Sequence, residues 1–116
     1  SLHQVPGTNH ISFFLNESES HWQIRSLDPS SGTVQYIAPT LPGREDYAWM
    51  PNGTLLMADG SILYQFKPRP SWDPVSGDDQ PEWVPLYDFS SHGISNITRL
   101  SISPKGNKLA FVADRQ

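Results

Sequence analysis

The chain has 116 residues, 36% of them hydrophobic, and no cysteine; that is apolar material for one modest domain or part of one, and it excludes disulfides and thiolate metal sites. Twelve acidic against eight basic residues give a net charge of -4, and the basic residues are scattered singly, so no row of phosphates would be neutralised and a nucleic-acid role is disfavoured. No apolar run approaches the roughly 18 residues that span a bilayer, so no membrane span is expected.

Eleven prolines and eight glycines punctuate the sequence, and no window holds apolar residues at i, i+3, i+4 and i+7 over a helical length, so the expectation is all-β without helices. Short β-type runs separated by turns follow in order at 11–15, 22–27, 33–37, 47–50, 54–57, 61–66, 83–89, 97–103 and 108–112, which is nine strands. Two turns recur. Leu27-Asp28-Pro29-Ser30-Ser31-Gly32 returns 45 residues later as Trp72-Asp73-Pro74-Val75-Ser76-Gly77, and Val5-Pro6-Gly7 is echoed 45 residues later from Met50 to Gly53. A further turn, Pro104-Lys105-Gly106, lies 53 residues after Pro51, the extra length falling in an insertion at 77–83.

A period of about 40 to 50 residues carrying four short strands marks a β-propeller blade. The expected architecture is therefore a partial β-propeller of four-stranded antiparallel sheets over 1–116, with blade one at about 2–39, blade two at about 46–89 and a half blade at 97–113. Two and a half blades do not close a ring, and the strand at 109–112 would stand at an unpaired apolar edge. Remaining chain, further copies of the same chain as a homo-oligomer, or a protein partner is expected to complete it.

The stretch Ser103-Pro104-Lys105-Gly106-Asn107-Lys108-Leu109-Ala110-Phe111-Val112-Ala113-Asp114-Arg115 resembles the blade signature of TolB-like bacterial propellers, a Ser-Pro-Asp-Gly turn followed by a strand of the form Lys-x-Ala-Phe-x-x-Asp-Arg. Lys105 stands where that family usually has Asp. Residues 21–39 resemble the third and fourth strands of such a blade, and residues 45–66 a further blade start. The resemblance implies a propeller fold, a periplasmic or extracellular location, and a place as the C-terminal two and a half blades of a longer ring. It implies no activity, because propellers host many functions. The expected function is a non-enzymatic binding or protein-interaction module; the alternative is the accessory propeller of a peptidase or amidohydrolase whose catalytic residues lie elsewhere.

No catalytic residue, cofactor or metal site is assigned. His3, His10, His21 and His92 have no paired ligand spacing. The pairs Glu17 with Glu19 and Asp78 with Asp79 lack a loop of alternating oxygen ligands, and no Gly-x-Ser-x-Gly elbow is present. Asp28 and Asp73 are explained by turn chemistry, since Asp caps its own backbone two residues on. The insertion at 67–83 is the expected binding loop, with Arg69, Trp72 and Trp83 as its candidate residues, because long loops on rigid scaffolds carry binding surfaces and Trp and Arg are enriched at hot spots. Tyr47 and Trp49, on a first strand facing the central tunnel, form a second candidate. Each has a plainer account: Trp83 and Trp72 covering the core between blades, and Tyr47 and Trp49 packing between sheets.

Overall fold

A computed structural model describes residues 2–18, 21–41, 44, 46–67 and 82–115. Its ten strands are β1 (Leu2–Gln4), β2 (Ile11–Ser18), β3 (His21–Leu27), β4 (Val34–Pro39), β5 (Tyr47–Trp49), β6 (Leu55–Asp59), β7 (Ile62–Lys67), β8 (Glu82–Asp88), β9 (Ile94–Ile102) and β10 (Leu109–Arg115). They form two four-stranded sheets, β1-β2-β3-β4 and β5-β6-β7-β8, and a two-stranded sheet, β9-β10, with every neighbouring pair antiparallel. The protein is thus all-β, an unclosed arrangement of propeller-blade-like sheets. Among the described residues there is no α-helix, hence none long and apolar enough to cross a membrane.

Two expectations need correction. The strand count rises from nine to ten because β1 exists; three residues with one large apolar side chain make no β-type run, and only pairing (Leu2 with Phe13, Gln4 with Ile11) holds them extended. The half blade starts at Ile94 rather than at 97, since Asn96 and Arg99 adopt positive φ of 53° and 54°. Their bulges shift the β9–β10 register twice and let one strand continue through residues that straight pairing would reject. Between β8 and β9 the chain makes a single 3-10 turn, Phe89–His92, capped by the Asp88 carboxylate, which accepts from the Ser90 N–H at 2.9 Å, and closed by Gly93 at φ 69°.

The sheets stack in sequence through two apolar layers. Ile24 and Ala38 of the first sheet meet Tyr47, Leu55 and Met57 of the second; Ala48, Leu56, Ala58 and Leu63 of the second meet Ile97 and Leu100 of the third. β6 supplies both layers because successive side chains leave opposite faces of a strand: Leu55 and Met57 go one way, Leu56 and Ala58 the other, each at 5% exposure or less. Each large side chain so buried contributes about 1.5 to 3 kcal/mol, so the second sheet anchors its two neighbours. At one end the recurring Pro-Gly turns come together, where a Cβ on Gly106 would lie 3.0 Å from Pro51 Cδ.

Candidate binding site where the first strands converge

β1, β5 and β9 are the first strands of their sheets, and stacking brings them side by side. Toward their C-terminal ends His3, Gln4, Trp49, Ser101 and Ile102 line a cavity of about 250 Å³. Toward their N-terminal ends lies a second, of about 320 Å³, lined by Trp22, Arg44, Asp46, Ala58 and Thr98. Leu100 contributes to both. Each wall therefore mixes side chains from all three sheets, an arrangement that no single blade would provide.

The first of these cavities is braced by Ser12. It interrupts the apolar run Ile11-Ser12-Phe13-Phe14-Leu15 and is fully buried on the face toward the second sheet. Its Oγ–H donates to the His3 carbonyl at 2.9 Å, which leaves two lone pairs. Trp49 Nε1–H donates to one at 2.9 Å. Tyr47 lies 2.9 Å from the same oxygen, and since the serine proton is already committed, the phenol is the donor there. The serine is saturated, with one bond given and two received. Its proton rests on a carbonyl rather than on a base, so the hydroxyl is not activated as a nucleophile.

Electrostatics follow from this packing. Burial raises the pKa of the Tyr47 phenol, so it stays a neutral donor. The His3 imidazole packs edge-on against the Tyr47 ring at 4.8 Å; burial is the largest cause lowering its pKa, with Asp46 pulling the other way.

The second cavity has a different character. Trp22 stands edge-on to Phe14 at 5.5 Å, and its Nε1–H is buried with no hydrogen-bond partner among the described residues. A buried donor left unpaired costs about 1 to 3 kcal/mol. Arg44 is held by Asp59, whose Oδ1 accepts from Nε at 3.0 Å and Nη2 at 2.9 Å; with both side chains more than a third exposed, the pair fixes position more than it stabilises. The Asp46 carboxylate faces the same space.

Of the five residues expected from sequence, Tyr47 and Trp49 lie together, with their polar atoms turned onto Ser12 and with Trp49 also lining the first cavity. Trp83 sits apart, stacked at 5.1 Å on Phe66 and donating to the Pro39 carbonyl at 2.8 Å, so that it ties β8 to the last strand of the first sheet. Arg69 and Trp72 lie outside the described residues. The histidines disperse: His10 approaches Asp28 at 3.7 Å and His92 meets the Tyr87 hydroxyl at 2.9 Å. No group of three or more metal-ligating side chains occurs among the described residues. Asp28 Oδ1 accepts from the Ser30 N–H and hydroxyl, as its turn requires, and those bonds lower its pKa. Ser12, Trp22 and Asp46 were not singled out in the sequence; the one available signal was a serine in the middle of an apolar strand. No protein-family model, curated protein or solved structure matches the chain.

Proposed function

We propose that this chain is a binding module of the TolB-like kind, part of an exported protein, which takes up a segment of a protein partner in the wedge between its first strands. The reading rests on one observation: two cavities, of about 320 and 250 Å³, are each walled by residues of three sheets, and the larger holds a buried donor, Trp22 Nε1, for which the described residues supply no acceptor. A backbone carbonyl of an inserted segment is the natural partner for that N–H, with Thr98 and Asp46 beside it to receive donors. Support for catalysis is thin, because Ser12, fully buried, is saturated by Tyr47, Trp49 and the His3 carbonyl.

The test is selection of displayed peptides against the folded chain, followed by affinity measurement on two variants. Trp22→Phe removes the donor and keeps a ring; Thr98→Trp fills the cavity. Both should retain the wild-type circular dichroism, and both should weaken the selected peptide at least tenfold. Peptides that bind both variants as tightly as wild type, or a selection that enriches nothing, would refute the proposal.

A further inference from the structure

The larger cavity holds two polar groups of opposite need. Trp22 Nε1–H is a buried donor with no acceptor among the described residues. The Asp46 carboxylate, which lines the same space just ahead of β5, is an acceptor that enters no hydrogen bond or ion pair among the described residues. The two groups that could neutralise it do not. Arg44 also lines the cavity, but it gives Nε and Nη2 to Asp59 at 3.0 and 2.9 Å, so that their charges cancel. His3 is near enough for Asp46 to pull its pKa upward, yet burial is the larger effect and holds the imidazole below its ordinary value, so at neutral pH it brings no positive charge. What remains is one uncompensated carboxylate and one unused N–H.

The third sheet completes the wall and is held in place by the backbone. β9 bulges at Asn96 and Arg99, with φ of 53° and 54°, and between them the Ile97 N–H donates across to the Gly60 carbonyl of the β6–β7 turn at 2.9 Å. The next residue, Thr98, aims its hydroxyl proton at the Val112 carbonyl at 3.5 Å, which keeps its lone pairs for a donor in the cavity. Ala58, Ile97 and Leu100 make the rest of the lining apolar.

A ligand that satisfies both orphan groups carries a cation with a hydrogen-bond acceptor close beside it. An internal peptide segment has carbonyls for the indole but only neutral N–H groups for Asp46. A lysine side chain has the charge but no acceptor near it. The amino terminus of a peptide has both, because a single Cα separates its ammonium from its first carbonyl, and an ammonium–carboxylate hydrogen bond is about twice as strong as a neutral one. We propose that the wedge recognises the free amino terminus of its partner: the ammonium on Asp46 with Thr98 as a further acceptor, the first carbonyl on Trp22 Nε1–H, and the first side chain toward Ala58, Ile97 and Leu100. This names the end of the partner that the binding reading above leaves open, and it rests on that reading. The volume agrees, since about 320 Å³ is the space of about ten waters at about 30 Å³ each, which suits a chain end and not an α-helix about 10 to 12 Å across.

The test uses random hexapeptides joined to beads through their carboxyl ends, one library with free amino termini and one acetylated, each exposed to the labelled chain. Recovered peptides are synthesised in both forms and titrated by calorimetry on wild type and on Asp46→Asn, which has no partner to lose and should keep the wild-type circular dichroism. The free form should bind wild type at least about tenfold tighter than the acetylated form, and Asp46→Asn should remove most of that difference by weakening the free form alone. Peptides that bind equally in both forms, yet are weakened by Trp22→Phe, would show entry by an internal segment; the amino-terminal proposal then falls and the binding-module reading stands. A preference for the free form that Asp46→Asn leaves intact overturns the proposal, as do acetylated peptides held by Asp46 through a lysine. Retention of the chain by neither library overturns the proposal and the binding reading together.

Discussion

Removing the Ser12 hydroxyl tests the brace between the first two sheets. In Ser12→Ala the Tyr47 hydroxyl and Trp49 N–H lose their acceptor and the His3 carbonyl its donor, while the atom removed is only one oxygen. Tyr47 is 1% exposed, so its unpaired hydroxyl bears most of the penalty, about 1 to 3 kcal/mol; the half-buried Trp49 adds about 1 kcal/mol on the same basis. A total of about 2 to 4 kcal/mol is a large share of the roughly 5 to 15 kcal/mol that holds a domain folded, and for a chain of this size it lowers Tm by roughly 10 °C. Tyr47→Phe, which leaves Ser12 with two of its three partners, should lose only about 1 kcal/mol. The double variant no longer strands the phenol, so it should be less destabilised than the two singles together, by about 1 to 2 kcal/mol. Urea unfolding followed by tryptophan fluorescence and far-ultraviolet dichroism measures all four proteins. If Ser12→Ala unfolds within about 0.5 kcal/mol of wild type, or if the two effects simply add, the serine is not the junction described here.

Three further outcomes are expected. Gly106→Ala combines a φ of 75° with a Cβ 3.0 Å from Pro51 Cδ, whereas Gly53→Ala, at φ 94°, meets nothing within 4 Å; denaturant titration should show a loss of about 2 kcal/mol for the first and about 1 for the second, and equal losses would mean that the two turns do not touch. Burial raises the Tyr47 pKa above 10.0, so in the folded state the proton is retained where the unfolded chain gives it up. Its contribution is fully present below pH 10 and is lost as pH rises through the folded value; Tyr47→Phe should flatten that alkaline decline in Tm, and an unchanged slope would count against the burial. Trp83→Phe removes the N–H that bonds the Pro39 carbonyl and should lower stability by about 1 kcal/mol without altering the mass in light scattering, which would shift if Trp83 served assembly.

Much of the architecture was legible because strands and turns leave local marks. β-branched and aromatic runs place β2 to β4 and β6 to β8, and the turn spacing of 45 residues groups them into sheets. What escaped were features set by partners far along the chain. β1 is extended only because β2 pairs with it, and β9 begins early only because two non-glycine residues accept positive φ. Tyr47 and Trp49 stood out as aromatics on a first strand, but their common acceptor lies 35 and 37 residues away and is one serine among many in the sequence.

The internal repeat also separates what stacking requires from what it does not. Tyr47 and Leu100 hold equivalent positions and do the same work, filling the layer behind their sheets; such residues answer to the fold. Trp22 is different. The register that pairs it with Asn16 makes Ser61 its counterpart in the second sheet, and that serine satisfies itself locally by donating to Asp88 at 2.7 Å. Stacking the second sheet needs no indole at this position, so stacking does not account for one in the first. A large aromatic that departs from the repeat, with its only donor buried and unpaired among the described residues at the edge of a cavity, is retained at a cost in stability. A ligand group accepting from that N–H offsets the cost, which is why the search for a partner begins at Trp22 and not at the aromatics that the repeat already explains.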